Sequence, residues 1–329
     1  MPTKKPSTIA QAAGDYIRSV SLSRSANTAR TYNNAIRAFL EILDHKHLPA
    51  AKTLPRGLPE EAISWFAMAL KVQSPATERL YLTAVAGFYE YLAAENLSAP
   101  NLSRVRMLIR QRARRPGQRL PQFPQNDIDK VLEYAINIAS QEHEDEISRL
   151  RGLRDRAFLV TLADTGLRVH EACGLRRGDM DWREGRAVII GKGDRQAVVR
   201  FSRRAITALR DYLNARAQLD GGSGKPLTSL PLFARHDRGA GKKVKPITTA
   251  TGRNIVNQRV RESLGDEAAG TITPHSFRHY FVTIVLKGSG NLKLAQELAR
   301  HQSIAVTQRY AHLSDDELDQ GYWEIFENS

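Results

Sequence analysis

The sequence predicts a mainly α-helical protein of two domains, with one small three-stranded antiparallel sheet in the second. Three observations carry this. Apolar residues recur every three to four positions along most of the 329 residues, as on one face of a helix. The period shortens in one region, where MDW, RAVII and AVVRF are short β-type runs separated by REG and by GKGDRQ. Between two helical parts lies NLSRVRMLIRQRARRPGQRLPQFP, an arginine-rich helix end running into Pro116, Gly117, Pro121 and Pro124. The length suits two cores better than one. The boundary is therefore expected near residue 118, giving a helical domain over 1–118 and a second domain, which holds the sheet, over 119–329.

In the first domain, SANTARTYNNAIRAFLEIL places Tyr32, Ile36, Phe39, Leu40 and Leu43 on one face. ATERLYLTAVAGFYEYLAAEN does much the same with Leu80, Leu82, Val85, Phe88, Tyr89 and Leu92. LPEEAISWFAMALKV begins a third helix with Pro59 and two glutamates in its first turn. Four or five short helices make a small bundle. The second domain opens with helices at QNDIDKVLEYAINIA and RLRGLRDRAFLVTLADTG, followed by the sheet. Further helical patterns come at RRAITALRDYLNARAQ, at ATGRNIVNQRVRESL, from Pro274, at LKLAQELAR and at DDELDQGYWEIFE. GGSGKP and ARHDRGAGKKVKP read as loops.

The formal charge of +14 makes a polyanion such as nucleic acid the leading partner class, ahead of a membrane surface. The excess is denser in the first third: residues 1–118 hold 17 basic and 8 acidic side chains, net +9, against net +5 for 119–329. Arg104, Arg106, Arg110, Arg112, Arg114 and Arg115 are candidate contacts to a DNA backbone, with Arg30 and Lys71 as further candidates. No apolar run approaches the ~20 residues of a spanning helix, and the chain's start lacks the apolar core of a signal peptide. A cytoplasmic, nucleoid-associated protein is expected. A single cysteine, Cys173, excludes an internal disulfide framework and a multi-cysteine metal site.

Two arginines stand where helix dipoles disfavour them. In TPHSFRHYFVT, Thr273 and Pro274 start a helix whose first turns carry His275, Arg278 and His279, although the positive end of a helix favours acids. In TGLRVHEACGLRRGDMDW, Arg168 stands at another helix start. Both sites make sense around a shared anion, because a guanidinium offers paired donors to phosphate oxygens and helix amides then add to its field. In GKGDRQ, Lys192 is a glycine-flanked hairpin-tip ammonium able to reach a phosphate ester, although a tip lysine is ordinarily just solvated. Downstream, LARHQSIAVTQRYAH carries His301 and Tyr310.

Taken in order, TGLR-V-x-E, the hairpin lysine, His-x-x-Arg, a further histidine and a final tyrosine within TQRYAH resemble the tyrosine recombinases, the phage-type integrases and Xer/Cre-like enzymes. The spacings are three residues from His275 to Arg278, 23 from Arg278 to His301 and nine from His301 to Tyr310. The resemblance covers the second domain from about Gln125 to Asp315 and, loosely, the helical first domain. It departs at Ala299-Arg300-His301, where family members commonly have Leu-Gly-His, so the geometry of that turn is in question.

The resemblance implies a catalytic set of Arg168, Lys192, His275, Arg278, His301 and Tyr310. Tyr310 would be the nucleophile, forming a 3′-phosphotyrosine and leaving a free 5′-hydroxyl, so that no nucleotide hydrolysis is needed. Arg168 and Arg278 would stabilise charge on the five-coordinate phosphorus. Lys192 would be the general acid to the departing oxygen, His275 would exchange a proton with Tyr310, and His301 would donate to the phosphate. Glu171, three residues after Arg168 on one helix face, would orient Arg168 or His275.

The implied partner is double-stranded DNA with a short inverted-repeat core site, bound by a homotetramer on two sites. Leu318, Tyr322, Ile325 and Phe326 form a terminal apolar stripe suited to docking on a neighbouring protomer. No cofactor or metal is expected: QEHEDE reads as an exposed helix end, and His275 and His279 lack the glutamate of a zinc motif. Two readings stand beside recombination, a type IB topoisomerase-like nicking-closing enzyme and a catalytically silent DNA-binding protein.

Overall fold

The computed structural model describes residues 8–114, 124–138, 141–191, 196–237, 239, 243–301 and 304–308. The fold is mainly α with one small antiparallel sheet. The chain divides into two compact units, Met1–Gln118 and Arg119–Ser329.

The first unit contains α1 (Ile9–Ser23), α2 (Ala26–His45), α3 (Ala62–Ala69), α4 (Pro75–Ala94) and α5 (Leu102–Arg112). Ser25 and Ser74 cap α2 and α4 by accepting from Thr28 N–H and Thr77 N–H, and Pro75 occupies a first-turn position where no N–H is needed. Ile36, Phe39 and Leu43 of α2 meet Leu82, Val85, Phe88, Tyr89 and Leu92 of α4 in one core. Leu80 departs from the expected face and is 44% exposed, because it lies two residues, about 200° around the helix, from the fully buried Leu82. Pro59, Glu60 and Glu61 precede α3 and do not form its first turn. In the same unit, Glu78 is fully buried and receives Lys71 Nζ at 2.7 Å and Arg114 Nε at 2.6 Å.

The second unit begins with α6 (Gln125–Ile138) and α7 (Glu146–Thr165). Asp145, from the acidic run, caps α7 by accepting from Ser148 N–H at 2.6 Å. Helix α7 is buried nearly all round, from Leu150 to Ala163, as a helix at the centre of a domain must be. Around it pack α6, α9 (Arg203–Ala215) and α12 (Pro274–Ser289). Tyr280 of α12 donates to Asp129 of α6 at 2.7 Å. The sheet runs β1 (Met180–Asp181), β2 (Arg186–Ile190), β3 (Gln196–Arg200), in that order and antiparallel, with Val188 opposite Val198. Ala187, Ile189 and Val199 face the core, while Val188, Ile190 and Val198 face outward. The remaining helices are α8 (Val169–Gly174), α10 (Ala217–Gly221), α11 (Thr249–Leu264), α13 (Leu292–Ala299) and α14 (Ile304–Gln308). The helix expected at DDELDQGYWEIFE lies outside the described residues.

Candidate active site

Three helix ends meet at one place in the second unit. Helix α7 closes on Gly166, which takes the left-handed conformation with φ 58°. Glycine is required there twice over, since a Cβ would also come within 2.4 Å of the Phe281 ring. The chain then turns through Leu167 to Arg168, the N-cap of α8. Helix α13 closes on Arg300, also left-handed at φ 57° and ψ 43°.

Arg278 joins these ends. It projects from the second turn of α12, is only 3% exposed, and donates from Nη1 to the Gly166 carbonyl and from Nη2 to the Ala299 carbonyl. Its charge therefore rests against the negative ends of α7 and α13, which offsets its position near the positive end of α12. The start of α12 has the expected N-cap and first-turn proline, Thr273 and Pro274. Thr273 is the N-cap in a capping box with Ser276, and Thr273 N–H donates to Ser276 Oγ at 3.0 Å.

Arg168 is held by Glu171, whose carboxylate accepts from Arg168 N–H at 2.9 Å and from Arg168 Nη1 at 2.8 Å. Glu171 also accepts from Arg300 Nη2 at 3.0 Å. Burial alone would raise the Glu171 carboxyl, yet the Arg168 backbone N–H and the Arg300 and Arg168 guanidiniums hold it below the usual carboxylate range. It is thus an ionised group between two arginines.

The histidines feel the same cations. Burial and the nearby Arg278 and Arg168 depress His301 to about 4. Loss of hydration, then Arg278 and Arg168, also lower His275, although its side chain reaches the surface. The His275 and His279 rings meet edge to face with centroids 4.2 Å apart, and burial, His275 and Arg278 depress His279 to about 4. His301 Nδ1 lies 2.9 Å from the buried Thr307 hydroxyl on α14. All three rings are consequently neutral at pH 7, and an arriving anion would raise their affinity for protons.

Arg168, Glu171, His275, Arg278 and His301 thus converge, from segments as much as 133 residues apart. Lys192 and Tyr310 lie outside the described residues, although β2 ends at Ile190 and α14 at Gln308, two residues before each. Beside His275 opens a cleft of about 560 Å³ between α11 and the start of α12, lined in part by Arg253, Asn254 and Asn257. Sequence reasoning passed over these three; their signal was a polar face at helical spacing on α11. It also gave no role to His279 or Thr307, and saw Arg300 only as a departure from a glycine. Among the described residues no group of three or more His, Cys, Asp or Glu is arranged to hold a metal ion, and no helix is long and apolar enough to cross a membrane.

The basic candidates of the first unit differ in how far their charge is engaged. Arg30 on α2 and Arg110 and Arg112 on α5 are exposed. Arg104 pairs with Glu61, and Arg106 pairs with Glu90 at 2.8 Å. Lys71 and Arg114 both serve Glu78. Burial would raise the Glu78 carboxyl, but their hydrogen bonds hold it below the ordinary range. Arg115 lies outside the described residues.

Residues 127–317 match the model of the phage integrase family. Tyrosine recombinase XerC of Pelobacter propionicus is 37% identical over 171 residues, a match spanning about half of each chain, 52% of this one and 51% of that one. Tyrosine recombinase XerC of Myxococcus xanthus is 30% identical over 250 residues, 76% of this chain and 75% of the relative. The XerH site-specific recombinase, in a post-cleavage complex bound to palindromic difH substrate, superposes with a TM-score of 0.69 at 18% identity over 99% of both chains, a likeness of fold. The helix ends, arginines and histidines gathered above lie within the matched span, and this chain belongs to the phage integrase family.

Proposed function

We propose that this protein is a site-specific DNA recombinase that cuts and rejoins duplex DNA through a 3′-phosphotyrosine intermediate, needing neither metal nor nucleotide hydrolysis. The observation that carries the reading is the double hydrogen bond from Arg278, which ties the segment before Arg168 to the segment before His301. Two guanidiniums and three neutral imidazoles surround a place short of negative charge. A phosphodiester supplies it.

In the proposed reaction the Tyr310 oxygen attacks the scissile phosphorus, passing its proton to His275. A phosphorus–oxygen bond to tyrosine forms as the bond to the 5′ oxygen breaks, and Lys192 delivers a proton to that oxygen. Arg168 and Arg278 stabilise the charge on the five-coordinate phosphorus, and neutral His301 donates a hydrogen bond to it. Rejoining runs the same steps backward with a 5′-hydroxyl from the partner strand. Residues 1–118 serve as the helical DNA-binding domain and 119–329 as the catalytic domain, so that duplex DNA with a short inverted-repeat core site is gripped by both. Four protomers act on two sites, joined through the terminal helix.

The test is a nicked suicide duplex carrying the core site, from which the 5′ fragment is lost after cleavage. A covalent protein–DNA adduct is expected with the wild-type protein in EDTA and none with Tyr310→Phe. Absence of the wild-type adduct overturns the proposal. Relaxation of supercoils without strand exchange would point to the topoisomerase-like reading.

A further inference from the structure

Arg300 occupies a position where the backbone favours glycine. Its left-handed φ of 57° is strained for any side chain bearing a Cβ. Its side chain is 13% exposed, and both Nε and Nη1 lack a hydrogen-bond partner among the described residues. Strain and two unmet buried donors both oppose this residue. Among the described residues its guanidinium makes one interaction, Nη2 to Glu171 Oε2 at 3.0 Å. Glu171 is itself 1% exposed and binds Arg168 through both oxygens, once to the backbone and once to the guanidinium.

The two arginines that share Glu171 are unequal. The Arg168 side chain is 40% exposed, so its guanidinium has room to turn toward an anion, whereas Arg300 is enclosed. When Arg168 engages phosphate, Glu171 gives up much of that partner's charge. A buried carboxylate left alone would take up a proton and release the start of α8. Resting on the recombinase reading above, we propose that Arg300 is a positioning residue: it remains on Glu171 as fixed counter-charge, keeping the carboxylate ionised and the Arg168 backbone anchored while the Arg168 guanidinium serves the scissile phosphate. Arg300 need not touch DNA to do this. It also pins the turn that presents His301, since it precedes that residue directly.

The groups facing Glu171 are Arg168 from the start of its own helix and Arg300 from the end of α13; His275, Arg278 and His301 stand around Arg168. Two variants separate charge from backbone. Arg300→Gly removes the charge and relaxes the left-handed turn; Arg300→Lys keeps the charge and the strain. Binding of core-site duplex and the single-turnover rate of adduct formation on the nicked substrate are measured for each. For Arg300→Gly, binding within about twofold of wild type is expected, with adduct formation slowed on the order of 10- to 100-fold, as for a displaced reacting group. Arg300→Lys should recover part of the rate. In a Glu171→Gln background, Arg300→Gly should add no further loss, because both changes break one linkage. A second arm follows the Glu171 carboxyl carbon by NMR titration of the free protein, where Arg300→Gly should move its midpoint up and Arg300→Lys should bring it back.

A rate for Arg300→Gly within twofold of wild type overturns the assignment, as does a Glu171 midpoint that Arg300→Gly leaves unmoved. A wild-type protein that forms no adduct removes the recombinase reading alone, and the titration then decides whether Arg300 governs Glu171.

Discussion

The Arg278 guanidinium donates to the Ala299 carbonyl, 21 residues away in the chain, and through its other arm to Gly166. An arginine at the positive end of its own helix is thereby seated on the negative ends of two others. Its orientation is set before any DNA arrives, so the cost of aligning it is met during folding.

Arg278→Ala should lower the single-turnover rate of adduct formation by about 10²- to 10³-fold, the loss typical of one donor to a developing anion. It should also reduce stability by about 2–3 kcal/mol, since two buried carbonyls lose a charged donor. Arg278→Lys keeps the charge but cannot span both carbonyls, so it should retain more stability than alanine while still cutting slowly. Denaturant unfolding and adduct kinetics measure the two effects separately.

Gly166→Ala should destabilise the second unit by about 1–3 kcal/mol, because the residue sits at φ 58° and the new methyl would meet the Phe281 ring. The Gly166 carbonyl would shift with it, so adduct formation should fall as well. Thermal melting checks the first effect and the nicked-substrate assay the second.

Stability of the second unit should decline as pH falls from about 6.5 through about 4. Burial and nearby cations depress His279 and His301 to about 4, and burial with Arg154 and Arg216 depresses His236 to about 3. These rings are neutral in the fold, whereas the unfolded chain binds protons from its ordinary histidine value downward. The folded state's advantage is complete above that value and shrinks below it. Bound core-site DNA should counter this by raising His275 and His301, which histidine-selective NMR titration with and without DNA would reveal. Unchanged midpoints on DNA binding would contradict a phosphate at this site.

DNA affinity should fall steeply with salt, and the two classes of basic residue should contribute differently. Arg110→Ala, at an exposed position of α5, should reduce the slope of log K against log salt by about 1. Lys71→Ala should leave that slope nearly unchanged and instead destabilise the first unit, because Lys71 serves the buried Glu78. Equal slopes for Lys71→Ala and Arg110→Ala would contradict this division.

Local patterns determined the helices and the sheet. The stripe of Ile36, Phe39 and Leu43 on α2, the glycine closing α7 and the three short β-runs all act within a few residues, over which propensity and periodicity are decided. The inward face of α4 was less legible at Leu80, because Leu80 and Leu82 point to nearly opposite sides of one helix and only packing selects between them. The motif-bearing residues could be named from spacing and family resemblance, but their electrostatic state could not. An arginine-rich stretch without an acid of its own carries pairs from Arg104 to Glu61 and from Arg114 to Glu78, drawn from 43 and 36 residues away. Arg278 is satisfied by main-chain oxygens, which every residue possesses and no side-chain pattern advertises. Arg300, read from the chain as a lost glycine, becomes in the fold a second cation on Glu171. The order of residue types along the chain determined the elements and the candidate chemistry, whereas long-range packing decided which charges are held, which are free and which carboxylate stays ionised, because Coulomb and desolvation energies depend on distances in space that the chain order does not contain.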